Sequence, residues 1–299
     1  YGMLGSCYSA TGDHLAAESA FRLAILLDPT EERMKRGLAY ALFEQKRYAE
    51  ASAMFEAMIL AEPGRADLWK AQANALVGLG ETMRAAQNLE FAAALGADDA
   101  ASLYFLGDIY VNERVWGLAV DADARAMRAD PDAPATRAVQ AAIDLRMRGA
   151  LDAAGDMVAR IESFHGNRVG EEDRKELLRT KAFIAVRSGE GGEEVEALEE
   201  LVRLDPLDGQ ALMLLGDHAL VNGEPERAAL WFERAQGIEE FEADACVRHA
   251  EVLATQGRFA DALPLRRQAQ QTRPRATVQD FLEMVDRADR AQGAARARD

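Results

Sequence analysis

Four histidines are the side chains of this 299-residue sequence best suited to bind a metal ion or to transfer protons near neutral pH: His14, His165, His218 and His249. None lies in an HExxH motif or has a second histidine four residues away, the spacing with which a helix presents two histidines to zinc. His218 and His249 fall in corresponding parts of two neighbouring repeats described below and could approach each other. Packing or surface roles are favoured for all four, and no metal site is predicted.

Two short segments could hold an ion by their backbone or carboxylates. The glycine-rich SGEGG at 188–192 precedes EEVEALEEL, whose acids would repel a phosphate, and we predict a turn there. The acidic DADARAMRADPD at 121–132 lacks the glycine and the final glutamate of a calcium loop. Cys7 and Cys246 form neither a CxxC motif nor a disulfide framework, and no GxSxG is present. The sequence therefore predicts neither an enzyme nor a cofactor.

The charge balance restricts the class of partner. The chain has 35 basic and 51 acidic residues, a formal net charge of −16, and its arginines alternate with acids without forming a basic stripe. Such a surface repels nucleic acid and anionic lipid. No apolar run approaches the ~20 residues needed to cross a bilayer. We expect no nucleic-acid partner and no membrane insertion.

A repeat organises the whole sequence. Pro29 and Pro63 are 34 residues apart, and Pro131 and Pro206 continue the series with one irregular interval. Small residues recur with the same period, at Gly5, Ala39, Ala73, Gly107, Ala141, Ala182, Gly216 and Ala250. A second small series follows twelve residues later, and four residues after its members stand large ones, at Phe21, Phe55, Leu89 and Phe232. A fixed period of this length predicts a solenoid.

Each period predicts a pair of antiparallel helices. Small residues let the two backbones approach closely, and the large residue on the same face fills the remaining space. Glycines in SATGD, VGLGE, VNGEP and TQGRF supply the turns between helices, and the DP and EP pairs end the second helix. Alanine, leucine, glutamate and arginine dominate throughout. The predicted fold class is all-α.

The segment YGMLGSCYSATGDHLAAESAFRLAILLDP resembles a tetratricopeptide repeat, with an aromatic–x2–Leu–Gly–x2–Tyr … Ala–x3–Phe … Pro pattern. This resemblance implies a right-handed α-solenoid of about eight helix-turn-helix repeats, starting near residues 1, 32, 66, 100, 134, 175, 209 and 243. A capping helix is expected at 277–290 and a flexible tail at 291–299. The missing initiator methionine and the arginine- and alanine-rich composition suggest a fragment of a larger bacterial protein.

The repeats are interrupted once. Repeat five is degenerate, because Arg137, Gln140 and Asp144 occupy positions that are aromatic or aliphatic elsewhere, and seven extra residues follow within 162–174. We favour a tolerated loop insertion. The alternatives are a hinge between residues 1–161 and 175–290, or a loop that itself makes a contact.

The resemblance to tetratricopeptide repeat proteins also implies a binding surface, because these proteins line a concave groove with one stripe of residues from the first helix of each repeat. Transferred to this sequence, the stripe comprises Arg33, Arg36, Tyr40, Lys70, Asn74, Tyr104, Asp108, Asn112, Arg179, Phe183, Arg187, Met213, Asp217, Val247 and Glu251. Its aromatic members would serve as anchors for a ligand, or else pack as extra core. Basic residues dominate the earlier repeats and acids the last two, which suggests a ligand segment that is acidic toward the amino-terminal repeats.

Lys70 and Asn74 resemble half of the carboxylate clamp of chaperone-binding tetratricopeptide domains. Phe105, Ala135 and Val139 stand where the other half would be, so the chaperone tail is not the expected ligand. A solvated lysine is the simpler interpretation of Lys70.

The function indicated is a non-enzymatic scaffold or adaptor that binds a protein or peptide in the groove, within a bacterial secretion or assembly complex. The alternatives are a structural solenoid that self-associates through its ends, or the regulatory arm of a larger enzyme. Fold alone does not select among these. The compartment is left open, with the cytoplasm favoured over the periplasm.

Overall fold

The computed structural model describes residues 1–188 and 191–273 and shows sixteen α-helices and no strand within them. Each predicted repeat is a pair of consecutive helices. In the first five repeats the pairs are α1 Gly2–Ala10 with α2 His14–Leu27, α3 Glu32–Glu44 with α4 Tyr48–Ala61, α5 Ala66–Gly78 with α6 Thr82–Ala94, α7 Ala100–Asn112 with α8 Trp116–Ala129, and α9 Thr136–Met147 with α10 Leu151–His165. In the last three they are α11 Glu171–Ser188 with α12 Gly191–Leu204, α13 Gly209–Val221 with α14 Pro225–Gln236, and α15 Glu242–Thr255 with α16 Phe259–Thr272. The all-α prediction is confirmed.

The chain forms two compact units, residues 1–168 and 169–299. In the first unit, helices α1–α10 pack each against the next, and a continuous core runs from Ala17 and Phe21 through Phe55 to Leu68 and Ala75. In the second unit, the described helices α11–α16 pack in the same sequential manner. The predicted capping helix at 277–290 and tail at 291–299 lie outside the described residues, as do residues 189–190 of the glycine-rich turn.

Close contact between a small and a large residue holds each helix pair together. With Glu32 as position 1 of repeat two, the small residue is at position 8 of the first helix and the large one at position 24, on the second helix. A Cβ atom added to Gly216 would lie 2.4 Å from Cε1 of Phe232, and one added to Gly5 would lie 2.8 Å from Cδ1 of Phe21. The glycines therefore leave the space that the rings occupy.

The turns within repeats use one backbone conformation. Gly12, Gly80, Gly223 and Gly257 follow the first helix of their repeats with φ between 73° and 79°, which glycine adopts without steric cost. Lys46 and Arg114 hold the same position in repeats two and four with φ of 61° and 60°. The turn geometry is therefore kept even where glycine is missing, because the packing of the two helices requires it.

Segment 162–174 is mostly helical, which differs from the predicted loop insertion. Helix α10 extends to His165, a 3₁₀ turn spans Gly166–Arg168, and α11 begins at Glu171. The extra residues thus lengthen the flanking helices. Helix α10 has 15 residues, against 12 to 14 in the second helices of the other repeats, and α11 has 18, against 12 to 14 in the other first helices from α3 onward. Glu171, Glu172 and Asp173 favour this early start because acids stabilise a helix amino terminus.

Gly216→Val should destabilise the second unit by about 2–3 kcal/mol, because a branched side chain would overlap the buried ring of Phe232. Gly117→Val is the matched control, since a Cβ at Gly117 of α8 meets no atom within 4 Å. The free energy of unfolding of each variant is measured by urea denaturation. Equal stability of the two variants would contradict the proposed close contact.

Candidate functional site

Side-chain contacts join the first helices of consecutive repeats into one row. In the first unit Arg36 of α3 binds Asp67 of α5 at 3.3 Å, and Lys70 of α5 forms an ion pair with Asp99, the residue that caps α7. Farther along, α7 contacts α9 and the residue that follows it, through the pairs Asp108–Arg137 and Asn112–Arg148. The predicted groove residues of repeats two to four therefore lie on one surface, the inner face, formed by α3, α5, α7 and α9.

An aspartate at the start of the next helix fixes the cation at position 5. Asp99 accepts a hydrogen bond from the backbone amide of Ser102 at 2.9 Å as well as from Lys70. Burial alone would raise the pKa of Asp99, but the bonds from Lys70 and Ser102 outweigh it and lower the pKa to about 2. The carboxylate is thus charged at every physiological pH and joins repeat three to repeat four.

The same connection occurs in the second unit, where the cation and the capping aspartate are 29 residues apart in the sequence, as they are in the first unit. Asp208 caps α13 through the amide of Ala211 at 2.9 Å and accepts from Arg179 Nη2 at 2.7 Å. Lys70 and Arg179 therefore form ion pairs that join one repeat to the next. Neither is the free basic anchor that the sequence suggested.

Two aromatic rings remain exposed at position 9 of first helices. Tyr40 is 45% exposed and rests its ring edge-on against buried Phe55, with the ring centres 5.3 Å apart. Burial of its inner part raises the pKa of Tyr40. Phe183 in the second unit is 37% exposed and lies 5.3 Å below the guanidinium of Arg187. Both rings contact a neighbouring side chain and keep part of their surface exposed.

The remaining predicted groove residues of the second unit contribute more to packing and ion pairs than to a free surface. Met213 is half-buried against the helix core, and Val247 is half-buried as well. Asp217 pairs with Arg248 at 2.9 Å, and Glu251 with Arg266 at 3.1 Å. The apolar stripe residues of repeat five in the first unit are fully buried: Ala138, Ala142 and Leu145.

Repeat four places an acid where other repeats have a large apolar residue. Asp123 occupies position 24, only 2% exposed, and its Oδ1 fills the space where a Cβ of Gly107 would lie, at 2.2 Å. Burial is the main cause, followed by the charge of Asp108, that raises the pKa of Asp123 to about 8. Arg137 opposes this shift, and its guanidinium lies 5.5 Å from the centre of the Tyr104 ring.

The histidines do not form a site. His218 hydrogen-bonds Asn222 at 2.6 Å and lies 3.7 Å from Glu194, whereas His249 bonds Gln236 at 2.9 Å. Burial lowers the pKa of His249. Over the ranges 1–188 and 191–273, no three histidine, cysteine or carboxylate side chains converge to hold a metal ion.

Family models for the tetratricopeptide repeat match residues 8–75, 70–134 and 185–245, more than half of the chain. The chain is a tetratricopeptide repeat protein. Such repeats generally mediate interactions between proteins and are generally not catalytic. No curated protein sequence matches the chain.

The first of two similar solved structures supports the same fold. The chain is similar to the C-terminal part of a TPR repeat-containing protein from Cytophaga hutchinsonii, with 14% identity over 82% of this chain and 98% of that one and a TM-score of 0.54. It is also similar to a tetratricopeptide repeat protein from Parabacteroides merdae, with 18% identity over 83% and 96% and a TM-score of 0.47. In the part of the tetratricopeptide chain that the structure describes, no helix is long and apolar enough to span a bilayer.

Three acids of this tetratricopeptide protein make contacts that the sequence did not indicate. Asp99 and Asp208 each precede a first helix, so their capping role was foreseeable, but not the cations that they bind. Asp123 had a visible signal in the sequence, because position 24 holds a large apolar residue in the first three repeats, at residues 21, 55 and 89, but an aspartate at residue 123. Its segment was judged only as a calcium loop.

Asp123→Asn should remove a pH-dependent loss of stability. The folded protein holds the Asp123 proton up to about pH 8, whereas the unfolded chain releases it near the ordinary pKa of 3.8. The stability contributed by this carboxyl is therefore complete below about pH 4 and falls as the pH rises toward 8, by at most about 1.4 kcal/mol per unit. The asparagine variant should gain roughly 3 kcal/mol over the wild type between about pH 5 and 8.

Urea denaturation at several pH values measures this difference, with Asp121→Asn on the same helix as the control. Asp121 is exposed and paired with Arg160 at 3.1 Å, so its substitution should give a difference that changes little with pH. If the difference in free energy of unfolding between Asp123→Asn and the wild type did not change with pH, Asp123 would be ionised in the folded protein.

Proposed function

We propose that the inner face binds a segment of a partner protein, with Tyr40 as its central anchor in the first unit. The observation that supports this most is the ring of Tyr40, which is 45% exposed yet held against Phe55 at 5.3 Å. A ring that is already fixed loses little conformational freedom when it is covered, which is why tyrosine is frequent among the residues that dominate binding energy.

Polar groups around Tyr40 suit an acidic or amide-bearing ligand. Arg33 and Asn74 are exposed and make no side-chain hydrogen bond with any residue in the ranges 1–188 and 191–273. Arg36 lies one helical turn before Tyr40 and reaches Asp67 at only 3.3 Å, so it can redirect some of its five donors at small cost. An extended peptide with carboxylates near α3 fits this arrangement.

Lys70 takes a different part from the one that its clamp-like spacing suggested. Its ammonium is engaged by Asp99, and a ligand carboxylate would have to compete with an acid that is already paired and charged. Affinity in this part of the face therefore comes from Tyr40, Arg33 and Arg36 more than from Lys70.

Tyr40→Ala should weaken binding of peptides selected from a displayed random library on the wild-type chain by roughly tenfold or more. Phe91→Ala is the matched control, because Phe91 is 54% exposed on the second helix α6 and its ring also rests on another ring, Trp69 at 4.9 Å. Dissociation constants are measured by calorimetry on both variants. Equal losses in the two variants would argue against the inner face.

Arg36→Gln tests the predicted acidity of the ligand near α3. The selected peptides should bind roughly fivefold more weakly, with a smaller dependence on salt, because one cation is removed from the face. Arg84→Gln on α6, where Arg84 pairs with the neighbouring Glu81 in the described part of the chain, should change neither quantity. An unchanged affinity for Arg36→Gln would leave Tyr40 as an anchor for an uncharged ligand.

A further inference from the structure

Positions 9 and 24 of a repeat contact each other beneath the inner face. In repeat two these positions hold the ring pair Tyr40 and Phe55, 5.3 Å apart. In repeat eight of the second unit they hold Glu251 and Arg266, an ion pair at 3.1 Å although Arg266 is only 3% exposed. Both arrangements satisfy the side chain at position 24, one by apolar packing and the other by opposite charge.

Repeat four satisfies neither condition. Positions 9 and 24 hold Asp108 and Asp123, and the charge of Asp108 disfavours the ionised form of Asp123. Asp123 is 2% exposed and has no hydrogen-bond partner in the described part of the chain. Its carboxyl presses against the backbone at Gly107, next to Asp108. A buried polar group of this kind is costly unless a partner reaches it.

The groups that face Asp123 supply too little positive charge to keep its carboxyl ionised. On α7, Tyr104 and Asp108 face it, and on α9 the facing groups are Arg137 and Asp144. Arg137 is the cation of this cluster, and it is bound to Asp108. Asp144 is occupied by the amide of Gln140 at 2.8 Å, which brings no charge. Three acids therefore share one guanidinium.

We propose that the segment bound on the inner face places a lysine or arginine side chain over Asp108 and Asp123, beside Tyr104. The inference rests on the proposed function and specifies the chemistry of the ligand at repeat four. The ligand's cation supplies to Asp123 what Arg266 receives from Glu251 at the equivalent positions: an oppositely charged partner in a poorly solvated place.

The position of the cluster sets the direction of the ligand. Arg33 and Arg36 on α3 favour acids at one end of the inner face, and the acids on α7 and α9 favour a cation two repeats away from α3. The guanidinium of Arg137 lies 5.5 Å from the centre of the Tyr104 ring, and a ligand cation beside Tyr104 would add a second positive charge to the three acids. The bound segment therefore runs from acidic residues near α3 to a basic residue near α7.

The test uses a displayed library of random peptides, selected separately on the wild-type chain, Asp123→Asn and Asp121→Asn. Peptides from the wild type and from Asp121→Asn should share a lysine or arginine at one position. Replacing that residue by norleucine should weaken binding to both chains by roughly tenfold, as expected for a lost charge-assisted hydrogen bond. The same replacement should change binding to Asp123→Asn by less than about threefold. Asp108→Asn provides a second variant with the opposite member of the pair removed.

Two results would overturn the inference and are distinguishable. If selected peptides lose affinity with Tyr40→Ala but carry no shared cation, or if the cation contributes equally in Asp123→Asn, the inner face binds peptides and Asp123 is not their anchor. If selected peptides bind Tyr40→Ala and the wild type equally, the inner face is not the binding surface, and the proposed function fails together with the inference.

Discussion

The contact between a small residue at position 8 and a large one at position 24 is the constraint on which the other features depend. It sets the distance between the two helices of a repeat, as Gly216 does for Phe232 and Gly5 for Phe21. Phe21 also fills the space beside Gly37 of the next repeat, 2.6 Å from where its Cβ would lie. One ring thus fixes the helix pair and the stacking of its neighbour, and the exposed side chains follow from that placement.

Because of this geometry, the side chain at position 24 belongs to the core and also lies directly beneath the side chain at position 9. Its side chain ends beneath position 9, as Phe55 does beneath Tyr40 and Arg266 beneath Glu251. A change of residue type there alters packing and the ligand-facing surface together. The capping acids connect neighbouring repeats, since Asp99 binds Lys70 and Asp208 binds Arg179 of the preceding repeat. The Lys70–Asp99 pair is partly exposed and contributes little energy, whereas Asp208 is buried; both pairs fix the position of the cation's side chain.

The sequence predicted the fold well because the period acts through backbone distances. Small and large residues, turn glycines and the DP pairs determined the helix boundaries, and the described helices begin within a few residues of the expected positions. The site was less predictable. That Lys70 would bind Asp99 depends on side-chain direction and on the capping geometry of another helix, neither of which has a sequence period. Residues 162–174 were misjudged because local helix propensity extended the flanking helices.

Asp123 and Arg266 show how a repeat tolerates charge in its core. Arg266 has its partner Glu251 within the same repeat, and this carboxylate offsets part of the desolvation cost of the buried guanidinium. Asp123 lacks such a partner, and in the unbound protein it avoids charge by keeping its proton. Leu89 fills the same position in repeat three and is also buried, so an apolar residue would serve packing at least as well. Because leucine packs at this position without burying a carboxyl, stability does not explain the acid, and this agrees with the proposed role of Asp123 in binding a ligand's cation.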